Sequence, residues 1–141
     1  MNQVKKTLLT LAFMLAGVVA FAQPAPVNIT NNTSCHYLVR AVAVEPGCIN
    51  PCSTAIVCVA PGATVPIPPC GAPHLVWCNV QVIAADANCQ PCPAAFTPVN
   101  VSAPNDPCAP YPMRAQGKHC DAQCGIYTVI FVSPTDVHIN P

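Results

Sequence analysis

From residue 27 onward the chain alternates apolar and polar positions in short runs, with no sustained helical spacing. The stretch "LVWCNVQVI" is the clearest: Val76, Cys78, Val80 and Val82 fall on one side, Trp77, Asn79 and Gln81 on the other. The last segment behaves alike, with Val137 and Ile139 inward around an outward His138. "TVIFV" at 128–132 is apolar on both faces, as an interior strand would be. Runs of this kind occupy 27–33, 36–45, 54–60, 63–68, 75–84, 96–102, 125–133 and 136–140. Between them stand turn signals: "NNTS", "EPG", "APG", "PPCGAP", "APNDP" and "SPTD".

Proline sharpens this picture. All 18 prolines lie after residue 23, spaced too closely for long helices. A helix interior loses about 3 kcal/mol to each one, whereas short strands between turns tolerate them at edges and ends. One helical turn or two is expected, in "MRAQGKHCDAQCG" at 113–125. About eight short strands with turn chemistry between them predict an all-β fold. The expected form is a small, disulfide-rich antiparallel β-sandwich, immunoglobulin-like in architecture.

The first 22 residues follow another pattern. Lys5 and Lys6 precede an almost wholly apolar run, 7–20, and "AFA" at 20–22 offers small residues before Gln23. That is the layout of a secretory signal peptide cleaved near Ala22/Gln23. The run falls short of the roughly 20 residues that span a bilayer, and Pro24 and Pro26 follow at once. Lipidation is not expected, since "LAG" at 15–17 is followed by Val18 and the first cysteine is Cys35. The chain therefore divides into a signal peptide, 1–22, and one exported domain, 23–141, secreted, cell-surface or periplasmic. No later apolar run is long enough to span a membrane.

Export gives the cysteines their meaning. Eleven are present, at 35, 48, 52, 58, 70, 78, 89, 92, 108, 120 and 124. Such density outside the cytoplasm reads as a disulfide framework of five bridges, with one cysteine unpaired or bonded to another chain. Spacing leaves the connectivity open. Loop-closure entropy gives about 2 kcal/mol for a very short loop and about 3 to 4 for loops of tens of residues, so five bridges supply at most about 10 to 18 kcal/mol. That matches the whole net stability of a typical domain, about 5 to 15 kcal/mol. Stapling is thus a sufficient reason for these residues.

Two chemical readings compete with it. "NCQPCP" holds Cys89 and Cys92 at a Cys-x-x-Cys spacing, but with Pro91 inside and Pro93 behind, and no strand–helix context to lower a thiol pKa. The same pair with "KHCDAQC" adds Cys120, Cys124 and His119, a candidate zinc set whose second spacing is one residue too long for the usual paired motif. Thiol-redox and zinc binding are therefore minor alternatives, and neither cofactor nor metal is expected.

Charge removes further classes. Without the signal, Arg40, Arg114 and Lys118 stand against Glu45, Asp86, Asp106, Asp121 and Asp136. Nothing there would hold a phosphate backbone, which calls for clustered Lys and Arg. An enzyme is not expected either. The serines at 34, 53, 102 and 133 lack a nucleophile context, no pair of acids converges in the sequence, and His36, His74 and His119 sit beside Cys or Pro. Sequons at Asn28, Asn31, Asn32 and Asn100 matter only in a glycosylating host.

Binding or assembly remains. Charged residues make up 7% of the sequence, where about 25% is typical, and low charge favours association. The leading expectation is an exported structural or interaction protein, a surface, matrix or filament component that self-associates. "QPAPVNITNN" would then pair with a neighbour's sheet edge and the eleventh cysteine would link two chains. The alternative is a carbohydrate- or protein-binding module using Trp77, on the polar side of its strand, and Tyr111, in "APYPM", as stacking platforms.

Overall fold

The computed structural model describes residues 25–141 apart from 73, 105, 107 and 109, so the expected signal peptide lies outside the described residues. Ten strands form in chain order. They are β1 (Val27–Asn31), β2 (His36–Glu45), β3 (Ile49–Ser53), β4 (Val57–Val59), β5 (Thr64–Ile67), β6 (Val76–Ala85), β7 (Val99–Ser102), β8 (Arg114–Lys118), β9 (Ile126–Ser133) and β10 (Asp136–Asn140). No helix occurs among the described residues, and none is long and apolar enough to cross a membrane.

The strands make two sheets. The first runs β5-β1-β10-β9-β8, and the second β3-β2-β6-β7, with β4 also paired to β2. One shared core lies between them, filled from the first sheet by Ile29, Tyr127, Val129, Phe131, Val137 and Ile139 and from the second by Tyr37, Val39, Val80 and Val82. Tyr37 and Tyr127 meet across the gap with ring centres 4.8 Å apart. The fold is the expected all-β, disulfide-rich sandwich. It departs from a purely antiparallel one in a single pairing, because β1 runs parallel to β10.

Two of the ten strands carry no hydrophobic alternation, which is why eight were expected. In β3, "INPCS", Pro51 is tolerated because the strand sits at a sheet edge. In β8, "RAQGK", only Ala115 and Gly117 turn toward the core side, opposite Val129 and Tyr127. This strand replaces the expected helical turn: 113–125 is an edge strand followed by tight turns. The expected strand at 54–60 shortens to Val57–Val59 because the chain bends at Thr54, whose Oγ1 accepts the Ala41 N–H at 3.0 Å in place of a ladder carbonyl. The run at 96–102 likewise pairs only from Val99.

The face assignment of Trp77 also changes. On β6, Asn79 pairs Val42 but Trp77 pairs Ala43, so Cys78 is an extra residue opposite the Val42–Ala43 step. Such a bulge reverses the alternation beyond it. Trp77 therefore joins Val80 and Val82 in the core and Val76 turns out to solvent.

Candidate functional site

The cysteines form five bridges: Cys35–Cys124, Cys48–Cys108, Cys52–Cys70, Cys58–Cys89 and Cys92–Cys120. Their Cα–Cα distances run from 5.4 to 6.0 Å, inside the range that a disulfide spans. Each bridge has at least one end in a connection between strands. The two cysteines of "NCQPCP" thus point to different partners, Cys58 and Cys120, and do not form the short dithiol of a redox motif. Five bridges place the chain in an oxidising environment, extracellular or periplasmic.

Cys78 is the eleventh, unpaired and buried at the bulge, 5% exposed. Burial and the neighbouring Asp106 carboxyl push its thiol up to about 12. It stays protonated and enclosed at neutral pH, so it is poorly placed to link two chains. Trp77 is 7% exposed, and its Nε1–H donates to the Ala25 carbonyl at 2.8 Å. Its ring therefore offers no open face for stacking. Tyr111 is 41% exposed in the loop before β8 and stands well apart in sequence from any other exposed ring.

The N-terminal strand is also spoken for. β1 bonds β10 on one side and β5 on the other, so 27–31 completes the chain's own sheet. Its Asn31 is wholly buried. The Nδ2 group donates to the carbonyls of Cys35 (2.7 Å), Ala60 (3.0 Å) and Val59 (3.4 Å), while Oδ1 accepts the Thr33 N–H and hydroxyl. A sequon reading fails at this position, since no sugar could reach that nitrogen.

Two regions bring chemistry-bearing groups together. One is the outer face of the first sheet. Register places Thr64, Thr30, His138, Ile130 and Arg114 in one row across all five strands. A parallel row holds Asn32, Asn140, Thr128 and Gln116, with Asn32 donating to Asn140 at 2.8 Å. Thr30 and Thr64 share a hydrogen bond of 3.1 Å, and Asn28 donates to Asp136 at 3.0 Å. Hydrogen bonds from Ser133, Asn28 and Thr135 hold the Asp136 carboxyl below its ordinary value. The face carries amides and hydroxyls together with Asp136, His138, Arg114 and Lys118, and Ile126 and Val132 are exposed at its ends.

The other region is a cleft of about 260 Å³ lined by Ser34, Cys35, His36, Ala85, Asp86, Ala87, His119, Cys120, Asp121 and Cys124. His119 is its pivot, 3% exposed. The Asp121 N–H donates to its Nδ1 at 3.0 Å, which leaves the ring proton on Nε2, 3.3 Å from the His36 carbonyl. Tyr37 packs edge-on against it at 5.4 Å. The sequence grouped His119 with Cys89, Cys92, Cys120 and Cys124. The structure removes Cys89, which bonds Cys58, and adds Cys35. Cys35 was missed because it lies 84 positions before His119 in sequence and only the fold brings them together.

Comparison with protein-family models, with curated proteins and with solved structures finds no match to this chain.

Proposed function

We propose that this is an exported, non-enzymatic structural or interaction protein that meets its partner through the outer face of the first sheet. The observation that carries the reading is the pairing of that face, and its rows of Thr, Asn and Gln, with blunted strand edges. Pro66 interrupts β5, Pro51 interrupts β3, and Arg114 and Lys118 end β8. At β7 the Ser102 N–H is taken by the Pro112 carbonyl at 3.0 Å. Proline, terminal charge and loop cover are the usual protections against edge-to-edge pairing. Association by strand addition is therefore disfavoured, and contact face to face remains, through rows of Thr, Asn and Gln flanked by Ile126 and Val132.

A second reading has support from the same face. Its amides and hydroxyls suit a neutral polysaccharide, and Tyr111, in the β7–β8 loop, is an exposed ring among the described residues that could stack on a sugar.

Size exclusion with light scattering tests the first reading, using the exported protein with and without reductant and a Thr30→Lys/Asn140→Lys variant. A concentration-dependent oligomer that reductant leaves intact, and that the two lysines abolish, is the expected result. A monomer at every concentration that is retarded on polysaccharide resin favours the second reading. A monomer that binds no polysaccharide sinks both.

A further inference from the structure

We propose that Cys35, His119 and Cys124 form a redox-gated binding site for a zinc-class divalent cation, closed while the Cys35–Cys124 bridge is intact and open once it is reduced. The two sulfurs and a ring nitrogen of His119 all lie within 4.8 Å of one another. The ring frees a lone pair for a cation by releasing either the Asp121 N–H from Nδ1 or the proton that Nε2 holds toward the His36 carbonyl. A tetrahedral zinc with bonds of about 2.0 to 2.3 Å holds its ligand atoms roughly 3.5 to 4 Å apart. Opening the S–S bond therefore asks for small side-chain movements, with no rearrangement of strands. Two thiolates and an imidazole are a soft donor set that suits zinc or cobalt and excludes calcium or magnesium.

Three further features fit this use. All three residues line the 260 Å³ cleft, which gives the cation a route in and leaves a fourth position for water. Asp86 and Asp121 line the same cleft, with no Lys or Arg among its lining residues, so the local field favours a cation. The neighbouring Cys92–Cys120 bridge ties the backbone beside His119 to the β6–β7 connection. The Cys92–His119–Cys120 group has the same spacing but less access, since Cys92 does not line the cleft.

The chemistry balances in two steps. A dithiol reductant supplies two electrons and two protons to the Cys35–Cys124 bond, giving two thiols and its own disulfide. The cation then displaces those two protons to solvent, and two thiolates neutralise its double charge. In an oxidising compartment the site stays shut, and loss of oxidant or exposure to a thiol opens it.

The test is a cobalt(II) titration of the purified protein after graded reduction with a phosphine, which becomes phosphine oxide, followed by absorption and by mass after alkylation. One tetrahedral thiolate-bound cobalt per chain is expected, and it shields Cys35 and Cys124 from alkylation. His119→Gln and, separately, Cys35→Ser/Cys124→Ser each weaken binding by at least about tenfold. Cys52→Ser/Cys70→Ser, a bridge outside the cleft, leaves it unchanged. Equal binding by the parent and the Cys35→Ser/Cys124→Ser variant overturns the proposal, and so does equal loss in the Cys52→Ser/Cys70→Ser variant. Should His119→Gln fail to fold, those two double variants still decide.

Discussion

Replacing Asn31 by Ala should be among the most damaging single changes available to this protein. Asn31 ends β1 and is wholly buried. Its amide joins parts of both sheets: the Cys35 carbonyl at the start of β2, and the Val59 and Ala60 carbonyls where β4 leads toward β5. The Asn31 N–H also donates to the Ala63 carbonyl at 2.9 Å, and Ala keeps that bond. What the variant loses is the donor pair. The buried Cys35 carbonyl, 2.7 Å away, loses its short bond, whereas Ala60 is exposed and its carbonyl keeps the Ala63 N–H. A buried acceptor left without a partner costs about 1 to 3 kcal/mol. The Thr33 groups lose an acceptor too, but Thr33 is only half-buried and water can replace it. The loss is about 1 to 3 kcal/mol, a sizeable share of a typical net stability of about 5 to 15.

The assay is chemical denaturation with all bridges intact. A companion variant makes it diagnostic. Asn31→Asp has the same shape but, when ionised, presents only acceptors to those carbonyls. At neutral pH it should be at least as damaging as Ala. Burial and repulsion raise its folded pKa above the unfolded value, so its stability should recover as pH falls and the carboxyl regains a proton to donate. An Asn31→Ala variant within about 1 kcal/mol of the parent, or an Asn31→Asp variant indifferent to pH, would refute the claim that the amide's donors matter.

Three other outcomes follow from the same structure. A methyl on Gly117 would come within 2.5 Å of the Tyr127 ring and of Val99 Cγ2, so Gly117→Ala should destabilise by about 1 to 3 kcal/mol or more in thermal melts. Asp136 has a depressed carboxyl value, so its contribution is complete above the unfolded 3.8 and lost as pH falls past the lower folded value; Asp136→Asn should flatten the acid limb of the stability–pH curve. Cys78 should resist alkylation at neutral pH until the chain is unfolded, and stability should fall between the unfolded thiol value of 9.0 and the buried value of about 12; Cys78→Ala should remove that alkaline loss.

Elements with an apolar face were legible in the sequence, and elements without one were not. β1, β2, β5, β6, β9 and β10 each place a row of Val, Ile, Tyr or Phe into the core, and two-residue periodicity registers that directly. β3 and β8 are edge strands held by backbone pairing to one neighbour, which leaves almost no trace in side-chain pattern. The bulge at Cys78 shows a different limit. The run "VWCNVQV" alternates perfectly as text, but one extra residue in β6 inverts half of it and moves Trp77 from the surface to the core. At the cleft, Cys-x3-Cys spacing drew attention to Cys120, Cys124 and His119. The third member, Cys35, arrives from a turn between β1 and β2 that no local pattern connects to it.

The division of labour between core and bridges follows from the loop lengths. Between β6 and β7, and again between β7 and β8, more than ten residues separate the strands, and the described ones show no strand pairing beyond an isolated bridge at Pro91. Connections of that length are normally mobile unless tied down. Here Cys89 and Cys92 tie the first to β4 and to the β8–β9 turn, and Cys108 ties the second to the β2–β3 turn. The core of Tyr, Val, Ile and Phe lies between the two sheets, with Cys35 and Cys92 among its members. The effect of the bridges falls on the loops at the ends of the sandwich, which they tie to the strands and to one another. A rigid end with His119 at its centre is what a reducible metal site would need, and a rigid face is what repeated face-to-face contact would need. The same five bonds therefore support both proposals, through different parts of the surface.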